Sequence, residues 1–173
     1  GTTTIQAGTL RVSHAQGLAT SPTTIQAGGR LLVDSGITLQ SPRVMLAGGT
    51  LAASALTIHG TAGIGILSMS SGAIIGEPAV SIGGGGRMVL SATGVHAVNV
   101  SALDIDQASG GRLDLGKGSV TIAAGGMTST DLLADLAAGF ADGAWNGLRG
   151  IVSSAVVPAL AVGQARTIGW LEA

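Results

Sequence analysis

The chain has 173 residues; 10 % are charged, against roughly 25 % in ordinary soluble domains, and the formal net charge is −1. Hydrophobic residues make up 46 %, so the low hydrophobicity and high net charge of a disordered chain are both absent. The eight Lys and Arg stand singly along the sequence, which offers no basic patch for nucleic acid or an anionic membrane surface.

The aromatics are Phe140, Trp145 and Trp170 alone, too few for a compact core centred on large rings. A thin core of stacked Ala, Val, Leu and Ile suits this composition better. There is no Cys, which removes disulfides, thiol catalysis and thiolate metal sites, and suits a chain that stays unfolded during export. Gly, Ser, Thr or a charge interrupts every apolar run before the about 18 residues of a membrane span. Residues 1–20 lack the basic start and apolar run of a signal peptide.

Taken in chain order, the first elements are repeats. Thr3-Thr4-Ile5-Gln6-Ala7-Gly8 returns as Thr23-Thr24-Ile25-Gln26-Ala27-Gly28, and Thr20-Ser21-Pro22 returns as Gln40-Ser41-Pro42 ahead of Val44-Met45-Leu46-Ala47-Gly48-Gly49. Both offsets are 20 residues. Each unit reads as an alternating strand, a Gly pair, a second alternating strand and a Ser/Thr/Pro/Gly turn. Gly28-Gly29-Arg30-Leu31 recurs as Gly85-Gly86-Arg87-Met88 and as Gly110-Gly111-Arg112-Leu113. The first of these offsets, 57, reads as three turns of 19, and the second, 25, as one turn with an insertion. Ile37-Thr38-Leu39, Leu56-Thr57-Ile58 and Val120-Thr121-Ile122 form a further echo.

A period near 20 is too short for a helix pair and too regular for a sandwich, but it matches one coil of a parallel β-solenoid, whose inward aliphatics are buried only by the next coil. The reading is therefore all-β, a β-helix over residues 1–126 with a capping segment over 127–173. Six turns at about 4.8 Å each predict a rod roughly 30 Å long. Ile5, Ile25, Met45 and Ile82 are expected in one column, and Leu10, Leu31, Leu51, Met88 and Leu113 in another.

After Gly126 the composition changes. Thr128-Ser129-Thr130-Asp131 is a helix start, followed by Leu132, Leu133, Leu136 and Phe140 at helical spacing, with Gly139 or Gly143 at the end. Trp145 is expected to help this helix close the open end of the coils, with Thr167–Leu171 returning as a final strand.

Several residues invite a chemical reading. His14, His59 and His96 lie in different units without partners at metal-ligand spacing, and are read as surface or loop residues. Asp104, Asp106 and Asp114 could offer oxygen ligands to Ca²⁺, but lack the ligand density of a calcium loop and are read as turn caps or solvent-facing groups. Gly83–Gly86 has no following Gly-Lys-Ser/Thr, so it is a corner and not a phosphate loop. Neither a Gly-x-Ser-x-Gly elbow nor a Ser-x-x-Lys occurs. A polysaccharide-cleaving site needs clustered carboxylates, which seventeen thinly spread charges do not supply. Asn99-Val100-Ser101 matches a glycosylation sequon, a three-residue signal of little weight by itself. No catalytic, cofactor or metal site is assigned, and no enzyme activity is expected.

Thr3–Val12, of the form Thr-x-Ile-x-Ala-Gly-Thr-Leu-x-Val, resembles the autotransporter-associated β-strand repeat of secreted bacterial passenger proteins. Residues 111–173 resemble the end of such regions in Arg112-Leu113-Asp114-Leu115, Gly143-Ala144-Trp145-Asn146-Gly147, Gly150-Ile151-Val152-Ser153-Ser154-Ala155 and Ile168-Gly169-Trp170-Leu171-Glu172-Ala173. The resemblance implies a right-handed parallel β-helix at the cell surface and implies no particular reaction. Gly1 falls inside a repeat, so the chain reads as a piece of something longer. The functional expectation is an extracellular structural or adhesive module that packs against copies of itself as a fibre or sheath. A glycan- or surface-binding adhesin is the alternative, with neither nucleic-acid binding nor membrane insertion.

Overall fold

A computed structural model describes residues 1–91, 93–163 and 167–171. The chain is a parallel β-solenoid of about five turns with a short C-terminal helix. The first coil holds β1 (Thr3–Ile5) and β2 (Gly8–Val12), and the second β3 (Thr23–Gln26) and β4 (Gly29–Val33). β5 (Ser41–Ala52) and β6 (Ala55–His59) form the third coil, β7 (Ile64–Ile75) and β8 (Ala79–Gly83) the fourth. β9 (Arg87–Leu90), β10 (Ala97–Val100) and β11 (Ala102–Ile105) make the fifth, and β12 (Arg112–Asp114) with β13 (Ser119–Ile122) begin the last. The C-terminal segment adds α1 (Ser129–Phe140), β14 (Gly150–Val152) and α2 (Val156–Ala161).

Three faces result. The first stacks β1, β3, β5, β7, β9, β12 and β14 in that order. β2, β4 and the far halves of β5 and β7 build the second, with β10 and β13 as a separate pair further along. β6, β8 and β11 form the third. Six first-face strands precede Gly126, enclosing about five turns where six were expected. With β14 the stack has seven strands, roughly 29 Å at a spacing of about 4.8 Å.

Alternation decides which side chains enter the coil. On the first face Ile5, Ile25, Leu46, Met69 and Leu90 stack inward, beside Thr23, Val44, Leu67, Met88, Leu113 and Ile151. Leu10, Leu31, Leu51 and Ile74 stack on the second face, and Ile58, Ile82 and Ile105 on the third. Ile25, Leu46, Leu51, Ile58 and Ile82 are fully buried. Each such side chain contributes about 1.5–3 kcal/mol relative to an exposed one, which is how a core nearly free of rings holds together.

The register corrects the sequence reading at several points. Ile25 sits on Leu46, and Met45 pairs with Thr24, half-buried on the outside. The step is 21 residues there, with a bulge at Gln26, and a slip of one residue exchanges the inner and outer sides of a strand. Ile82 belongs to the third face, and Met88 and Leu113 to the first. Arg30 stacks under Thr50 and Ala73 on the second face, whereas Arg87 stacks over Ile66 and Arg43 on the first. The 57-residue likeness therefore joins non-equivalent corners. The 25-residue step is real, for Arg87 pairs with Arg112. Residues 37–39 form no strand, and Val120–Ile122 pairs with Val98–Val100 on the second face.

The paired glycines stand where one coil's backbone presses on the next. A Cβ on Gly29 would lie 2.2 Å from the carbonyl oxygen of Ile5, and one on Gly111 would lie 2.2 Å from that of Ile82. Gly28 and Gly110, one residue earlier, take the positive φ that turns the corner.

Candidate interaction site at the C-terminal end

α1 starts as its sequence requires. Thr128 Oγ1 accepts from the Asp131 amide at 3.1 Å and donates to the Asp131 carboxylate at 2.6 Å. The helix ends at Phe140, where Ala141 takes a left-handed conformation. Its inward side is narrower than the Leu pattern predicts: Asp135, Leu136 and Gly139 are buried, whereas Leu133 and Phe140 are about half exposed. Gly139 allows the helix to lie against Ile151 of β14, and Trp145 is buried with its ring edge-on to Phe140 at 5.3 Å.

The strand contributed by this segment is β14, not the expected Thr167–Leu171, which has no strand structure. β14 pairs with β12 because Gly150-Ile151-Val152 continues the inward column at Leu113. The remaining residues of the C-terminal pattern, Glu172 and Ala173, lie outside the described residues. Asp114 fastens the junction: its Oδ1 accepts from the amides of Gly116 at 3.0 Å and Ser154 at 2.8 Å, while the Ser153 hydroxyl donates to the Gly116 carbonyl at 2.6 Å.

β14 extends the first face only, so among the described residues β13 is paired with β10 on one side alone. A cleft of about 1140 Å³ opens beside that edge, lined among others by Leu115, Val120, Ile122, Leu132, Ile168 and Trp170. Large exposed apolar side chains gather in the same segment: Leu133, Phe140, Leu148, Leu160, Val162, Trp170 and Leu171, against Ile75 and Val95 elsewhere among the described residues. An unpaired strand edge beside apolar side chains is the kind of surface whose chemistry favours association. At the opposite end β1 and β2 also carry one edge each without a strand partner among the described residues.

A second, smaller pocket of about 120 Å³ lies between α1 and β11. Asp135, buried on α1, accepts there from Gln107 Nε2 at 2.5 Å. Burial pushes its carboxyl above the usual range, opposed by the Gln107 hydrogen bond and reinforced by Asp104 and Asp131.

The residues singled out in the sequence are not assembled into one site. His14 Nδ1 accepts from the Gln16 amide, His59 Nδ1 from Thr61 and Ala62, and His96 Nε2 meets the Ser70 carbonyl at 3.1 Å. Asp104 points outward on the third face near Ser81, and Asp106 caps the next corner through the Ser109 hydroxyl at 2.6 Å and amide at 3.2 Å. The Ser109 hydroxyl holds the Asp106 carboxyl below the usual range. Asp114 lies on a different face from Asp104. Gly83–Gly86 forms a corner in which the Gly84 amide donates to Ser109 Oγ at 2.7 Å. Asn99 is exposed on β10 beside Thr121. Among the described residues no group of three His, Asp or Glu is placed to hold a metal ion, and no helix is long and apolar enough to cross a membrane.

Comparison with protein-family models, with curated proteins and with solved structures gave no match.

Proposed function

We propose that this chain is a structural module of an exported bacterial surface protein, a stiff coil that associates with copies of itself. The observation that carries the proposal is the β13 edge, which among the described residues has no second strand partner and lies beside a cleft that the exposed Trp170 and Leu171 help to line. Low charge supports it too, since little like-charge repulsion opposes close approach of two copies. The β-solenoid supplies length and stiffness from a short repeat, with stability growing as coils are added. Export and surface location rest on the resemblance of the repeats to secreted passenger proteins, and the absence of Cys accords with them.

Sedimentation velocity over a concentration series, with electron microscopy of the same samples, tests the proposal. Oligomers or filaments that grow with concentration are expected, and Trp170→Ser with Leu171→Ser should shift them toward monomer. A native chain that stays a single monomeric species at every concentration overturns it.

A further inference from the structure

Coiling gathers arginines that are scattered in the sequence. Arg43, Ile66, Arg87 and Arg112 occupy successive positions of one ladder on the first face. The neighbouring ladder of Val44, Leu67, Met88 and Leu113 points inward, so the arginines point out. Arg87 and Arg112 are one strand spacing apart, about 4.8 Å, and Arg43 is two spacings from Arg87. Arg43 and Arg87 are exposed, and among the described residues neither forms an ion pair. Arg112 is partly buried, its Nε has no hydrogen-bond partner, and its guanidinium meets Asp114 Oδ2 at 3.9 Å while the other carboxylate oxygen accepts two backbone amides. Burial and then the charge of Arg87 disfavour its protonated form, opposed by the charge of Asp114.

Arg43 and Arg87, exposed and without a carboxylate partner among the described residues, are charges that an anion from outside can relieve, with the partly buried Arg112 beside Arg87 paired to Asp114. The geometry points to this arginine row as a binding site for a linear acidic polysaccharide, whose carboxylates or sulfate esters run along the rod axis. β5, β7, β9 and β12 each have strand partners on both sides, so no peptide can dock here by adding to the sheet. All three aromatics lie at residue 140 or beyond, which leaves nothing on this row to stack a nucleobase. A polymer held by charge and side-chain hydrogen bonds alone is what remains. A monomer carries the row as well as an assembly does, so this inference stands apart from self-association.

The test is binding of the full chain to immobilised polygalacturonate, as the carboxylate arm, and dextran sulfate, as the sulfate arm, with neutral dextran and poly-glutamate beside them. Binding to at least one acidic polysaccharide is expected, weakening steeply with added salt. Arg43→Ala with Arg87→Ala, both exposed, should weaken it at least about tenfold, while Arg43→Lys with Arg87→Lys retains most of it. Circular dichroism establishes that each variant is folded, and Arg87→Gln alone should give an intermediate loss. No binding to either acidic polymer, equal binding to neutral dextran, tighter binding to poly-glutamate, or unchanged binding by the folded double alanine variant would each overturn the inference.

Discussion

Asp114 and Ser154, forty residues apart, are joined by a 2.8 Å hydrogen bond from the Ser154 amide to the buried carboxylate. Through it the C-terminal segment is tied to the last coil just after β14 is laid on β12. Asp114→Ala leaves two amides without their acceptor, at a cost of about 1–3 kcal/mol. Asp114→Asn keeps an acceptor oxygen and should lose less. Thermal unfolding reads the difference, at about 2–4 °C of Tm per kcal/mol for a chain of this length.

Leu46 and Met45 provide a test of register. Leu46→Ala should cost about 2–5 kcal/mol, because Leu46 is fully buried between Ile25 and Met69. Met45 is half-buried on the outer side, and Met45→Ala should cost less than about 1.5 kcal/mol. Equal losses on chemical denaturation would contradict the 21-residue step.

Gly29 and Gly8 separate crowding from backbone preference. Gly29→Ala forces a methyl against the Ile5 carbonyl and should cost about 3 kcal/mol or more. Gly8 has open space around its missing Cβ but a φ of +74°, so Gly8→Ala should cost only about 1–2 kcal/mol. Stability measured by denaturant titration ranks the two.

Asp135 makes stability depend on pH. Its folded carboxyl pKa is raised, chiefly by burial, so the folded chain holds this proton more tightly than the unfolded chain. The contribution is fully present below the ordinary value of 3.8 and is lost as pH rises from there through the folded pKa. Asp135→Asn should therefore be more stable than the native chain near neutral pH, with the gap closing toward pH 4. Asp106 acts with the opposite sign and in a lower window: its pKa is depressed, so its contribution fades only as pH falls below 3.8. Thermal unfolding of both chains across pH checks the sign.

The repeats made the coil legible. Thr-Thr-Ile-Gln-Ala-Gly recurs because Ile5 and Ile25 must stack, and because Gly8 and Gly28 take the positive φ that turns the corner. Period alone could not place Met45, since one inserted residue in the β5 coil is taken back at the following corner: Ile25 faces Leu46, yet Arg30 faces Thr50. α1 was legible from Thr128 and Asp131, whose chemistry is local. β14 was not, because three residues carry no periodicity and pair only through contacts with β12, thirty-eight residues away at Leu113 and Ile151. The arginine row was equally hidden. The shared Gly-Gly-Arg of residues 85–87 and 110–112 was visible, but its meaning depended on the 25-residue step that sets one arginine beside the other in the ladder.

Nuclear Overhauser contacts between backbone protons of successive coils test the coiled architecture most directly. The account predicts contacts linking Ile5 with Ile25, Ile25 with Leu46, and Ile58 with Ile82, each pair in parallel register. Antiparallel contacts among these segments, or none between residues twenty to twenty-five apart, would contradict it.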